Sequence, residues 1–373
     1  MRTSMLLLVA TVSCLSPDEQ HAQANGEWRT DFSKHTVPLE EIVSGGPPKD
    51  GIPAIDAPKF ESVRSARRWL DDREPVIAVE AGASARAYPY QILVWHEIVN
   101  DAIAGRPLAV TFCPLCNIAV VFDRRHRGRV LDFGTTGRLR HSDLVMYDRQ
   151  TESWWQQATG EAIVGTLAGD SLRDVPSQTI SWGDFRRAYP RGEVLSRPAG
   201  SDRPYGRNPY AGYDAPTGAP LPGFAGRASD GRLPAMERVA TVRIAADAAA
   251  YPFPTLRKSR VVHDMVGSRA LVVFWAPGTA SALDDARIAN GRDVGASGVF
   301  ARQVDGRRLT FDAAGDGVFR DRETGSGWDI LGRAVAGPLR GKRLDRIPSG
   351  DHLWFAWALF RPDTRIWSGA VRR

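Results

Sequence analysis

A chain of 373 residues, 43% hydrophobic and 25% charged, is long enough for two domains with their own cores and has an ordinary globular composition. The formal net charge of +6 comes from 49 Lys and Arg interspersed with 43 Asp and Glu, without zinc-finger spacing or a basic–aromatic module, so no nucleic-acid partner is expected. Beyond the leader, no stretch approaches the ~20 apolar residues of a membrane span.

In chain order, Arg2, the apolar run Met5 to Val12 and the small residues around Ala22 and Ala24 read as a secretory signal peptide, 1–24. The mature protein is then expected to be periplasmic or secreted. Acylation at Cys14 is an alternative, but Thr11, Val12 and Ser13 lack the usual leucine. Residues 25–75 form an N-terminal arm. It carries Asp50 and Asp56 on a Pro/Gly-rich segment, where they either make turn hydrogen bonds or reach a site as acid–base groups.

Val76 to Val79, Leu108 to Phe112 and Ile118 to Phe122 are short apolar runs rich in β-formers and predict strands. Pro89 to Ala104 and Trp182 to Tyr189 read as helices. Arg124 to Arg129 is a short basic cluster that suits a solvated hairpin. Asp148, Thr151 and Ser153 suit a turn whose side chains bond to nearby backbone amides.

The chain also matches itself. At an offset of 173, Asp148, Thr151, Ser153 and Trp155 meet Asp321, Thr324, Ser326 and Trp328; after one deletion Gly160, Trp182 and Pro190 meet Gly332, Trp354 and Pro362. Upstream, Leu131 and Phe133 meet Leu309 and Phe311, and Tyr88 meets Tyr251. Two copies of a small domain are expected, 76–197 and 239–373, joined by a Pro/Gly-rich linker, 198–238. The linker has Tyr205, Tyr210 and Tyr213, more aromatics than a free tether, and is expected to dock. The predicted class is α+β, mainly β: two tandem similar lobes, each a twisted antiparallel sheet or half-open barrel with one or two helices.

Only the first copy has cysteines, Cys113 and Cys116, in the sequence Cys113-Pro114-Leu115-Cys116; Trp275, Ala276, Pro277 and Gly278 stand opposite. With strands on both sides, the segment predicts a type I turn with Pro114 at its second position, close enough to pair the sulfurs. A thioredoxin-like CxxC would open a helix, and a closed zinc site would need a second pair of ligands. His96, His126 and His141 could complete one, but no two of them have ligand spacing. A plain disulfide across so short a loop contributes only about 2 kcal/mol.

Residues in both copies read as scaffold, and those in the first alone are the better candidates. Cys113 and Cys116 are then the reactive pair of an exported thiol–disulfide redox protein, supported by Asn117, Gln156, Asp50 and Asp56. Alternatively Cys113, Cys116, His96 and Met146 bind copper or zinc, Cu(I) being suited to soft donors. Met146 lies opposite Phe319, which favours a core role. A non-catalytic scaffold with a structural disulfide is the third reading.

The segments Gly45 to Asp56, Thr111 to Asn117, Ser142 to Arg149 and Asn208 to Asp214 resemble the family called domain of unknown function 3179. The resemblance covers nearly all of the mature chain. It implies an exported or membrane-associated bacterial or archaeal protein and no particular reaction. An Asn is expected in relatives where this chain has His141.

Overall fold

The computed structural model describes residues 27–198, 202–221 and 230–369. The leader and Cys14 lie outside them. The fold is mostly β, with several antiparallel sheets, none of them closed, and a few short helices. Among the described residues no helix is long and apolar enough to cross a membrane.

The predicted strands form where the β-branched runs fall: Pro75–Ala81, Arg106–Cys113 and Ile118–Asp123. Three larger sheets and one two-stranded hairpin make up the N-terminal half. One is ordered Ser177–Ser181, Pro75–Ala81, Ser84–Pro89, Glu193–Leu195, Phe60–Ser62; a second is ordered Arg173–Asp174, Ile118–Asp123, Arg106–Cys113, Ile98–Ile103. The third continues from Ile42–Ser44 through Phe133–Arg140, Asp143–Asp148 and Trp154–Gln156 to Glu161–Val164. In the C-terminal half, the order Ser349–Leu353, Arg238–Ile244, Asp247–Pro252, Arg365–Ile366 follows that of the first sheet. Both include one parallel pair closing on the second strand of a hairpin.

The sequence predicts one helix from Pro89 to Ala104; the structure has the helix Tyr90–His96 and then the strand Ile98–Ile103. Glu97 stops the helix at φ +58°, its amide still bonded to the Leu93 carbonyl. Ile98 and Val99 then join the ladder of Arg106–Cys113, where β-branched side chains pack well. The other predicted helix forms as Trp182–Ala188, capped by Ser181 Oγ accepting from the Asp184 amide. The basic cluster is the predicted hairpin, Arg125–His126 with Arg129–Val130, although Arg124 is buried and donates to the carbonyls of Asp101 and Leu131.

The cores do not divide along the sequence. Trp182 and Phe185 from the N-terminal half pack with Phe274, Phe300, Phe319 and Trp328 of the C-terminal half. Conversely, Leu353, Phe355 and Ala356 pack with Phe122, Phe133, Trp155 and both cysteines. Each half's helix after its outer strand thus completes the other's core. Gln178 adds a polar tie, its Nε2 donating to the carbonyls of Ser297 (2.8 Å) and Ile330 (2.9 Å).

Buried acids make the fold pH-sensitive. Glu74 is 4% exposed and accepts from Gln91 Nε2 at 2.6 Å and from the Asp71 amide at 3.2 Å. Burial pushes its carboxyl up to about 7. The unfolded chain releases this proton near pH 4.5 and the folded chain only near 7, so the folded state holds more protons in between and stability falls as pH rises through that window. The term is on the order of 3 kcal/mol when complete. In Glu74→Gln the decline of the thermal midpoint from pH 5 to 7 should flatten. The difference between the two proteins isolates Glu74 from His352 and His263, which burial holds down at about 3 and 4 and which act in the opposite direction.

Candidate functional site

Cys113 ends its strand paired with Ile118, so the connecting loop is 114–117. The turn bond runs from the Asn117 amide to the Pro114 carbonyl at 3.1 Å. Proline therefore takes the first position of the turn, not the predicted second, because Cys113 still belongs to the ladder. Asn117 closes the loop at φ +51°, a conformation asparagine tolerates better than most residues. The loop is held from outside: Tyr213 donates its hydroxyl to the Leu115 carbonyl (2.9 Å), and the Leu353 amide donates to the Cys116 carbonyl (3.0 Å). Asn117 Nδ2 donates to the Asp351 carbonyl at 3.0 Å, so its side chain ties the halves together and does not support the sulfurs.

Over the loop lies the tip of the hairpin Phe133–Arg140 and Asp143–Asp148. His141 and Ser142 turn it with φ of +54° and +64°, a two-residue turn with both residues left-handed. Their carbonyls face the thiols, Ser142 O at 3.6 Å from Cys113 Sγ and His141 O at 3.9 Å from Cys116 Sγ. The next residue, Asp143, is completely buried. Its Oδ2 accepts from Gln156 Nε2 (2.6 Å) and the Ala158 amide (2.9 Å), while Oδ1 has no hydrogen-bond partner among the described residues.

Both cysteines are free thiols, 1% and 0% exposed, with their sulfurs 4.1 Å apart. The two sulfurs and a carboxylate oxygen of Asp143 all lie within 4.8 Å of one another. Burial raises both thiols above their ordinary value, that of Cys116 furthest, and pushes Asp143 up to about 7. Glu97 goes up to about 8 through burial and then the nearby Asp143. No cationic side chain is among the dominant influences on any of the four. The result is a buried cluster of acidic groups whose protonated forms are favoured by burial and the want of a positive charge.

The structure brings some predicted site residues to this cluster and others elsewhere. Gln156 supports Asp143. Met146 is fully buried in the same apolar cluster as the cysteines, across the ladder from Trp155. His96 is engaged at both ring nitrogens, by the Pro53 carbonyl at 2.8 Å and Tyr205 Oη at 2.7 Å. Asp50 and Asp56 converge on Arg149, not on the thiols. Asp50 also accepts from the Tyr147 hydroxyl and Asp56 from Asn100 Nδ2. His141 contributes its carbonyl, and its ring stays beside Glu41.

Sequence reasoning passes over Asp143 and Glu97. A signal for Asp143 exists in the spacing of the internal match. Phe133 pairs with Asp148 across the first hairpin, and Phe311 with Asp321 across a second that is five residues shorter. The extra length carries the tip that covers the thiols. Glu97 has no such signal, being masked by the helical run before it.

The segment carrying Tyr205, Tyr210 and Tyr213 packs against the C-terminal half. Asn208 donates through its amide to the Ala286 carbonyl and through Nδ2 to that of Asp285, and the Tyr213 amide donates to the Leu283 carbonyl. The loop 277–295 that receives it stands where the other half has the short thiol loop, between Ala276 and Ala296.

A mostly-β chain with a buried dithiol–carboxylate cluster under a hairpin tip is thus defined. It belongs to the family described as Protein of unknown function (DUF3179), which it matches over residues 49–364. No curated protein and no solved structure matches the chain.

Proposed function

We propose that Cys113, Cys116 and Asp143 bind a thiolate-seeking metal ion, Zn(II) in preference to Cu(I). One observation carries this: three buried acidic donors lie within 4.8 Å, and one carboxylate oxygen of Asp143 has no hydrogen-bond partner. Sulfurs 4.1 Å apart can both reach one ion at the usual Zn–S distance of ~2.3 Å, with an S–Zn–S angle of about 126°. A divalent cation would let the thiols and carboxyl ionise where burial otherwise forbids it. The carboxylate favours zinc, since an all-sulfur set would suit Cu(I) better. The described residues supply three donors and leave a fourth position for another ligand.

The test is metal analysis of the reduced protein, as purified and after zinc loading and desalting. About one zinc per chain is expected, none in the Cys113→Ser/Cys116→Ser variant, and at least tenfold weaker binding in Asp143→Asn. Reduced, folded protein that holds no stoichiometric metal after loading would sink the proposal.

Thiol–disulfide exchange is the second reading, favoured by Asp143 lying within 4.8 Å of both sulfurs with its carboxyl pushed up to about 7, which suits a proton acceptor. In that reading a partner disulfide takes two electrons and two protons as Cys113 and Cys116 join, and the hairpin tip must lift to admit it. A reduction potential below about −300 mV would mark the pair as inert to such exchange.

We also infer that 76–197 and 239–373 are two copies of one lobe, with 25–75 an arm and 198–238 a linker, supported by the matched strand orders and the self-match. The leader-like segment supports a periplasmic or secreted protein.

A further inference from the structure

A cleft of ≈ 750 Å³, counting its open mouth, is lined by Ala119 and Val120 after the thiol loop and by Ser349, Gly350 and His352 from the other half. Two arginines stand at it. Arg243 and Arg361 both act on the carboxyl of Asp174. Neither closes on it as an ion pair: among the described residues Arg243 has no carboxylate within 4.0 Å, and Arg361 reaches only Glu161, at 3.7 Å. Arg361 also donates through Nη1 to the Phe360 carbonyl at 3.1 Å, so Arg243 is the less engaged of the two; guanidinium groups match the geometry of a carboxylate or phosphate.

The inner part differs in chemistry. His352 is 3% exposed, its Nδ1 has no hydrogen-bond partner, and its ring stacks on Trp357 with centroids 5.0 Å apart and planes 21° apart. Burial keeps this imidazole neutral. Gly350 makes room for it, since a methyl there would lie 2.7 Å from Nε2. Trp357, Phe360 and Val120 give the cleft apolar walls.

We propose that this cleft binds a small organic anion with a flat apolar body, its carboxylate or phosphate head between Arg243 and Arg361 and its body along Trp357 toward His352. The site uses neither thiol. It adjoins the proposed metal cluster through Ala158, which lines the cleft and whose amide bonds to Asp143, and through Val120, which packs against the cysteine core.

Calorimetry and saturation-transfer NMR with benzoate, phenyl phosphate and inorganic phosphate test this. At least one aromatic anion should bind saturably and more tightly than inorganic phosphate, with transfer to its ring protons; whichever binds identifies the head group. Arg243→Gln, at an exposed position that leaves the core intact, should weaken binding at least tenfold, whereas Cys113→Ser/Cys116→Ser should bind like the parent protein. Absence of saturable binding by both aromatic anions, or binding unchanged in Arg243→Gln, would overturn the proposal. Inorganic phosphate binding as tightly as phenyl phosphate would overturn the apolar half of it.

Discussion

Replacing Asp214 with alanine is expected to cost about 3–5 kcal/mol of stability, the range for stranding a buried charge. Asp214 is fully buried within the docked segment 202–221 and accepts from Arg238 Nη2 at 2.5 Å and Ser281 Oγ at 2.6 Å, with Arg292 Nη1 at 2.9 Å. The Arg238 side chain is only 9% exposed, so without Asp214 its guanidinium keeps the desolvation penalty and loses the compensating charge. Burial alone would raise the Asp214 carboxyl, but Arg238, Ser281 and Arg292 together hold it below its ordinary value. The stability it contributes is therefore present above about pH 4 and lost as pH falls through the lowered folded value. Urea unfolding of Asp214→Ala at pH 7 should show the full loss, and Asp214→Asn a smaller one. Limited proteolysis within 202–221 should accelerate in both. A loss under 1 kcal/mol in Asp214→Ala would show that the linker is not pinned by this cluster.

The second large effect is at Trp155. It is fully buried, its indole Nε1 donates to Asp148 Oδ2 at 2.9 Å, and its ring meets the edge of Phe133 at 6.0 Å. Trp155→Ala should lose about 3–5 kcal/mol through the cavity, while the Asp148 carboxylate keeps its bonds to the Thr151 amide and hydroxyl. Trp328 is a matched control, also fully buried and donating to Asp321 Oδ2 at 2.8 Å. The two variants should be destabilised alike but differ in one readout. Trp155 packs in the cluster containing Cys113 and Cys116, Trp328 in the other. Reaction of the thiols with a disulfide reagent under native conditions should therefore speed up in Trp155→Ala and stay near the parent rate in Trp328→Ala. Equal rates in the two would separate the thiols from the packing beneath them.

What the sequence revealed was chiefly local or duplicated. The strands at Val76, Leu108 and Ile118 follow from β-branched runs. The turn at Asp148 follows from Asx chemistry: the Thr151 amide donates to Asp148 Oδ1 at 2.7 Å, and the Thr324 amide to Asp321 Oδ1 at 2.6 Å. The cysteine pair stood out as a difference between the two self-matching stretches of sequence. Hidden from it was what long-range packing decides. Glu97 breaks a helix that its own neighbours favour because Ile98 finds Thr111 across a ladder. Asp143 joins the thiols only because a hairpin is long enough to overhang them. The same reasoning that discounted repeated residues could not weigh an insertion whose side chains meet the site from above. Asp50 and Asp56 looked available because Arg149, over 90 positions away in sequence, was not visible as their partner.

The exchange of helices between the halves also bears on the order of events during synthesis. Leu353, Phe355 and Ala356 fill the core around Cys113 and Cys116, and the Leu353 amide secures the Cys116 carbonyl. The thiol-bearing sheet therefore cannot be sealed until residues 353–356 have been made, and contacts spanning more than 200 residues form slowly. During that interval the two sulfurs stand open to oxidants and to metal. A chain cut short before residue 353 would keep them open, which makes a sealed thiol pair a marker that synthesis has passed this helix.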